Sequence, residues 1–116
     1  MGCVRVAAAS SDGEAIDQPL AEATRLHIFD VYPDRADWIA VRELKEEEPG
    51  GAVESLLNCL DDCSLLLVRE ISGTTGGKLR IGWITVWEAP MPAEKALGKL
   101  RNSPMFRRAL GIGLRG

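Results

Sequence analysis

The stretch from residue 4 to residue 13 constrains the fold more strongly than any other part of this chain. Residues 4–9 form a short and almost entirely apolar run, Val-Arg-Val-Ala-Ala-Ala, which predicts a central strand covered on both faces. The next four residues, Ser-Ser-Asp-Gly, are small and polar, as is typical of a loop. The pattern therefore predicts a buried strand that leads into a loop, and we expect the loop amides to stay free for a ligand or partner.

The rest of the chain combines strand and helix patterns. Short apolar runs or apolar alternation predict four more strands, at residues 24–32, 37–44, 64–68 and 83–89. The Pro33-Asp34 turn makes the second and third strands an antiparallel hairpin. Apolar spacing predicts helices at 52–60 and 93–100, and a glycine-rich turn leads into a short helix that Gly82 ends. This order predicts an α/β fold, with a mixed five-stranded sheet and helices on both faces.

Length and composition are those of one domain. The chain has 116 residues, of which 46% are hydrophobic, enough for a single core without disulfides. We assign residues 1–101 to this domain and residues 102–116 to a basic C-terminal tail. No apolar run approaches the ~20 residues that span a bilayer, and no signal pattern is present. We therefore expect a cytoplasmic protein that does not contact membranes and whose three cysteines are reduced.

Charge is unevenly distributed along the chain. Residues 1–70 carry 15 acidic side chains against 6 basic ones, whereas Glu94 is the only acid among the basic residues of segment 91–116. A nucleic-acid site would require several aromatic side chains within that basic segment, and only Phe106 is present. We therefore expect no nucleic-acid binding, and we expect the basic tail to dock on an acidic protein partner.

The order of several short motifs points to one protein family. The Ser-Ser-Asp-Gly loop is followed by Ile-Asp-Gln-Pro-Leu-Ala at residues 16–21. Later come Asp-Cys at 62–63, Gly-Thr-Thr-Gly-Gly-Lys-Leu at 73–79, and Asn-Ser-Pro-Met-Phe-Arg-Arg-Ala-Leu at 102–110. In this order the motifs resemble the NifX/NafY-like proteins, the dinitrogenase iron-molybdenum-cofactor binding family. That family has Val-Asp-Gln-His-Phe-Gly at the second motif, so Pro19 stands where the family has histidine.

The resemblance carries several implications. It implies a ribonuclease-H-like sheet whose second strand is antiparallel to its neighbours. It also implies an accessory protein of nitrogenase cofactor assembly, a monomer or weak dimer, which transiently carries an iron-sulfur or iron-molybdenum precursor. Its partners would be nitrogenase assembly proteins or dinitrogenase. The implied cofactor-binding residues are Ser10, Ser11, Gly13, Gln18, Cys63, Gly73, Gly76 and Gly77. The alternative is an interaction module of the same fold that has lost ligation and docks on a partner.

Cys59 and Cys63 are the candidate metal ligands. They are four residues apart, so both thiols would project from one face of a continuous helix, and thiolates are suitable ligands for iron. Free cysteine is also among the most buried residue types, which makes a structural role the alternative. The single histidine, His27, lies in a predicted strand, and we expect it to be a hydrogen-bonded or surface residue.

Nucleotide-binding and catalytic motifs are absent from the sequence. A Walker-type phosphate loop would need glycine at Ser72 and serine or threonine at Leu79. The glycine-rich turn at 73–77 therefore either presents free amides to an anion at a helix N-terminus or simply connects two elements. Residues 4–9 contain no acidic side chain to hold catalytic metal ions, and the chain has one histidine. We expect a binding protein and not an enzyme.

Overall fold

The computed structural model of the protein describes residues 3–20, 23–43, 57–71 and 78–104. These residues form six strands and one helix, with a further helical turn at residues 57–59. The elements are β1 (Val4–Ala9), β2 (Arg25–Val31), β3 (Ala36–Glu43), β4 (Leu65–Val68), β5 (Lys78–Ile81), β6 (Ile84–Glu88) and α1 (Ala93–Arg101). None of the helices in these segments is long and apolar enough to cross a membrane.

The strands form one mixed sheet in the order β3-β2-β1-β4-β6-β5. β1 is parallel to β4, and β4 is parallel to β6. β2 is antiparallel to both of its neighbours, and β5 is antiparallel to β6. The predicted hairpin of the second and third strands is confirmed, as is the position of the first strand inside the sheet. The α/β fold class is confirmed with them.

Both faces of the sheet are covered. On one face, Val6, Phe29 and Leu67 pack against Leu97 and Leu100 of α1. On the opposite face, a second cluster joins the sheet to the segment that follows the helical turn; it contains Ala7, Leu26, Ile28, Leu60, Cys63, Leu66 and Val86. The alternation of β1 explains this arrangement, because its successive side chains point to opposite faces and, apart from Arg5, both sets are apolar. Helical residues therefore lie on both faces, as the sequence predicts.

The segment before Gly82 differs from the sequence prediction. The five predicted strands are present, and Lys78–Ile81, expected to be helical, adds a sixth at the edge of the sheet. Gly82 has a φ of 59°, and it allows the chain to turn tightly so that Ile81 pairs with Ile84. A glycine with positive φ ends helices and also closes hairpins, so the glycine alone could not distinguish the two. The prediction of a helix at these residues is wrong.

Candidate functional site

Three loops meet at the edge of the sheet where the parallel strands end. The loop after β1 bonds back to its own strand through the Gln18 amide, which donates to the Ala9 carbonyl at 3.3 Å. The Gln18 carbonyl in turn accepts from the Arg69 amide, just after β4, at 2.9 Å. Beyond β6, the Met91 carbonyl accepts from the Ile16 amide at 3.0 Å. The loops thus form one connected surface at the edge where open α/β sheets bind ligands.

The polar residues of the 10–13 loop bond to one another. The buried Ser10 hydroxyl oxygen accepts from the amides of Gly13 at 2.9 Å and Asp12 at 3.3 Å. The Ser11 amide and hydroxyl both donate to the Asp17 carboxylate, at 2.9 and 2.6 Å. The expectation that the loop amides stay free is therefore wrong for these residues. These hydrogen bonds define the shape of the loop, so the Ser and Asp side chains have a structural role here.

Gln18 ties the same loop to β2. Its side-chain oxygen accepts from the amides of Thr24 at 3.2 Å and Arg25 at 3.3 Å. Its side-chain nitrogen donates to the Thr24 hydroxyl at 3.1 Å. The next residue, Pro19, is half-buried. Ser10, Ser11, Gly13 and Gln18 thus lie together at one edge of the sheet, with most of their polar atoms already bonded.

His27 lies beneath this loop on β2. Its side chain is only 5% exposed, and its Nδ1 accepts a hydrogen bond from the Trp38 indole at 3.1 Å. An accepting Nδ1 places the proton on Nε2, which is buried and has no hydrogen-bond partner among the described residues. Burial lowers the pKa of His27, with a smaller contribution from the Arg25 charge. His27 is therefore a neutral, largely enclosed imidazole, and a ligand would reach it only if the loop moved.

A cleft of about 590 Å³ opens between the loop, the outer strands and α1. Its lining residues are Gly13, Glu14, Phe29, Arg35, Ala36, Pro92, Ala93, Glu94, Leu97 and Arg101. Two acids and two arginines surround a partly apolar floor, so the cleft suits a ligand that presents both apolar surface and charge. Within the described segments, no group of three or more histidine, cysteine, aspartate or glutamate side chains is placed to hold a metal ion.

The two candidate cysteine ligands do not lie on one continuous helix. The helical residues end at Cys59, and tight turns follow, in which the Leu60 amide donates to the Leu57 carbonyl at 3.1 Å. Cys63 is 2% exposed within the core, and burial, with the nearby Asp62 charge, raises its pKa to about 12. Thiolate is the metal-binding form, so this environment supports the structural alternative for Cys63. Cys59 is half-buried and Cys3 is exposed.

An ion-pair network holds the cysteine-bearing turn against the sheet. Arg5 donates to both oxygens of Asp30, at 2.8 and 3.1 Å, and to Asp62 at 2.8 Å. Arg42 donates to both oxygens of Asp62, at 2.7 and 2.9 Å, and also to the Cys59 carbonyl. These hydrogen bonds keep the pKa of Asp62 well below its usual range. The sequence did not suggest this network, because its four charged side chains come from β1, β2, β3 and the turn.

The chain matches one known protein family. Residues 2–103 match the family described as dinitrogenase iron-molybdenum cofactor. The chain belongs to this family. A comparison with curated protein sequences finds no match.

Membership of the dinitrogenase iron-molybdenum cofactor family confirms the resemblance seen in the short motifs. It connects the chain with nitrogen fixation and with the handling of the iron-molybdenum cofactor. The matched residues span the whole sheet and α1, so the three-loop edge and the cleft both lie inside the family domain. Gly73, Gly76 and Gly77 lie outside the described residues, and their predicted role in the site stays a prediction.

Proposed function

We propose that this protein is an accessory factor of nitrogenase cofactor assembly. In this role it transiently binds an iron-sulfur or iron-molybdenum precursor in the cytoplasm and passes it to an assembly protein or to dinitrogenase. The observation that carries the proposal is the match to the dinitrogenase iron-molybdenum cofactor family over residues 2–103. The ribonuclease-H-like assignment and the absence of catalysis stay predictions within it.

The proposed binding surface is the three-loop edge. Its support is the hydrogen bonding that joins Gln18 to Arg69 and Ile16 to Met91, because this brings the loops after three parallel strands together. A resident iron-sulfur cluster generally takes four cysteine ligands, which exceeds the three cysteines of the whole chain. A precursor held at one or two irons needs fewer protein donors and is released more easily. Because the chain has too few cysteines for a resident cluster, we propose that it carries the precursor transiently and does not store it.

The proposal predicts measurable cluster loading. Anaerobic incubation with iron and sulfide, and separately with isolated iron-molybdenum cofactor, should leave metal bound to the protein after gel filtration. Pro19→His should increase the metal retained several-fold, because it adds an imidazole donor on the loop at the position of the family's histidine. The measurement is iron and molybdenum per protein, followed by activation of cofactor-free dinitrogenase.

Pro19→Ala is the matched control, since it also removes the proline but adds no donor. Parallel loading of Cys59→Ala and Cys63→Ala assigns any thiol contribution: loss in one variant alone identifies that cysteine as a ligand. A folded wild-type protein and a folded Pro19→His variant that both elute without metal would overturn the carrier proposal. That outcome would favour the interaction module in its place.

A further inference from the structure

β3 is the outermost strand on one side of the sheet. Among residues 3–20, 23–43, 57–71 and 78–104, no strand pairs with its outer edge. Three of the four exposed large hydrophobic side chains in those segments lie on β3: Trp38 at 58%, Ile39 at 42% and Val41 at 41% exposure. An eight-residue edge strand with exposed apolar side chains is a template for pairing with another strand.

The sequence of β3 is complementary to itself when read in the opposite direction. If two copies of β3 pair antiparallel, so that Trp38 lies opposite Val41 of the second copy, then Asp37 lies opposite Arg42 of the second copy. The two-fold symmetry of the pair repeats each contact. Opposite-charge pairs and aromatic pairs with β-branched residues are favourable directly across two strands. This register therefore matches both the charges and the apolar side chains of the edge.

A β-bulge makes this register consistent with the two faces of the sheet. Trp38 pairs with Phe29 and Val41 pairs with His27, so both lie on the face that α1 covers. Trp38 and Val41 share a face although they are three residues apart, because the bulge adds Ile39 between them. Asp37 and Arg42 lie on the other face by the same alternation. When the two-fold axis of the dimer is perpendicular to the sheet, both residues of each cross-strand pair lie on the same face of the continuous sheet.

Shifting the register by one residue removes this complementarity. A shift in one direction places Asp37 opposite Glu43 of the second copy, and a shift in the other places it opposite Val41. Each shift also pairs side chains that lie on different faces of the two sheets. Charged side chains on an edge strand normally prevent pairing with unrelated strands. Here the same charges select one partner strand, namely β3 of a second copy.

We propose that two copies of this chain associate through antiparallel pairing of β3, residues 36–43. The two six-stranded sheets then form one continuous sheet across the dimer. Arg42 keeps its hydrogen bonds to Asp62 of its own chain, because a guanidinium has five donors and the described bonds leave capacity for a second carboxylate. The contact is short, so the dimer forms reversibly at high protein concentration. The proposal does not depend on cofactor binding.

Sedimentation velocity over a wide concentration range tests the proposal. The wild-type protein should shift from monomer to dimer as concentration rises. Asp37→Lys should weaken the dimer by at least about tenfold, because it replaces two attractive pairs with two repulsive ones. Glu70→Lys is the matched control, since it makes the same change in charge on an exposed side chain beyond β4, and it should leave dimerisation unchanged. Circular dichroism confirms that both variants are folded.

Amide hydrogen exchange measured by NMR identifies the interface. The outward amides of β3 should become protected as the dimer forms, and those of β5 at the other edge of the sheet should not. A protein that stays monomeric at millimolar concentration would overturn the proposal. A dimer that Asp37→Lys does not weaken, with β3 amides still exchanging freely, would overturn it as well.

Discussion

Gly13 is required as glycine by two separate constraints at the loop. Its φ is +84°, a conformation that residues with a side chain adopt at a cost. A Cβ at this position would also lie 2.9 Å from both Cε1 and Nδ1 of His27, closer than real contacts allow. His27 cannot move freely, because it is buried and bonded to Trp38. The loop therefore closes over the imidazole only because residue 13 has no side chain.

We expect Gly13→Ala to lower the free energy of unfolding by about 1–3 kcal/mol, from backbone strain and from displacement of the imidazole. Gly98→Ala is the control, because a Cβ there meets nothing within 4 Å in the middle of α1. That change should instead stabilise the protein by about 0.5–1 kcal/mol through helix propensity. Urea unfolding measures both. Equal effects from the two substitutions would show that Gly13 is not constrained by His27.

The residues of the loop show how far the sequence alone predicts a site. Small polar residues after an apolar strand indicate the loop at 10–13, and a family motif at 16–21 follows it. The sequence pattern does not predict whether the polar atoms of the loop bond to one another or remain available to a ligand. Ser11 bonds to Asp17, and Gln18 bonds to Thr24. These contacts form only when the chain folds back on itself, which the sequence pattern does not show.

The turn at residues 60–63 is held in place by long-range contacts. It follows a short helical turn, and Arg5 and Arg42 bind it to β1 and β3. Both arginines converge on Asp62, whose side chain is about one-third exposed. An Arg–carboxylate pair with two hydrogen bonds fixes orientation as well as distance. Asp62 therefore sets how the Cys59–Cys63 segment lies on the sheet.

Asp62→Asn should destabilise the protein at pH 7 by about 1–2 kcal/mol, because it leaves the partly buried Arg42 guanidinium without a carboxylate and leaves Arg5 with Asp30 alone. The folded-state pKa of Asp62 is lowered from 3.8, so its stabilising contribution is complete above that pH. The contribution is lost progressively as the pH falls further. The difference between the wild type and Asp62→Asn should therefore shrink below pH 3.8. Urea unfolding at several pH values measures it.

Asp61→Asn is the neighbouring control, since Asp61 is exposed on the same turn, and it should change stability by less than about 0.5 kcal/mol. If Asp62→Asn had the same cost at pH 7 and at pH 3, the carboxylate charge would not be the source of the stabilisation.

Elements differ in how well the sequence predicts them. β1 and the start of α1 match the predicted residues, because a six-residue apolar run bounded by turn residues favours a strand and the proline-flanked amphipathic segment favours a helix. β5 was missed, since four residues are too few to show a period and their pairing with β6 is a tertiary contact. Of the predicted helix at 52–60, residues 57–59 are helical and Leu60 already lies in the turn that follows, whereas residues 52–56 lie outside the described residues.

At the scale of the whole molecule, an acidic domain carries a basic C-terminal segment. The tail assigned to residues 102–116 lies outside the described residues from Met105 onward. Its first residues complete α1: the Asn102 side chain donates to the Gly98 carbonyl at 3.2 Å, and the Ser103 hydroxyl donates to the Leu100 carbonyl at 2.7 Å. Residues 102 and 103 therefore belong structurally to the end of α1.

Deleting residues 105–116 removes Arg107, Arg108 and Arg115 and keeps the end of α1 intact. We expect the melting temperature to change by less than about 2 °C, and the capture of an acidic nitrogenase-assembly partner at low salt to weaken at least about tenfold. A longer deletion from residue 102 should add a loss of helix-end stability without weakening capture further. Differential scanning calorimetry and a salt series of partner binding measure the two effects.

A large loss of stability on deleting 105–116 would show instead that Phe106 and Leu110 belong to the core, and the docking role of the tail would have to be abandoned.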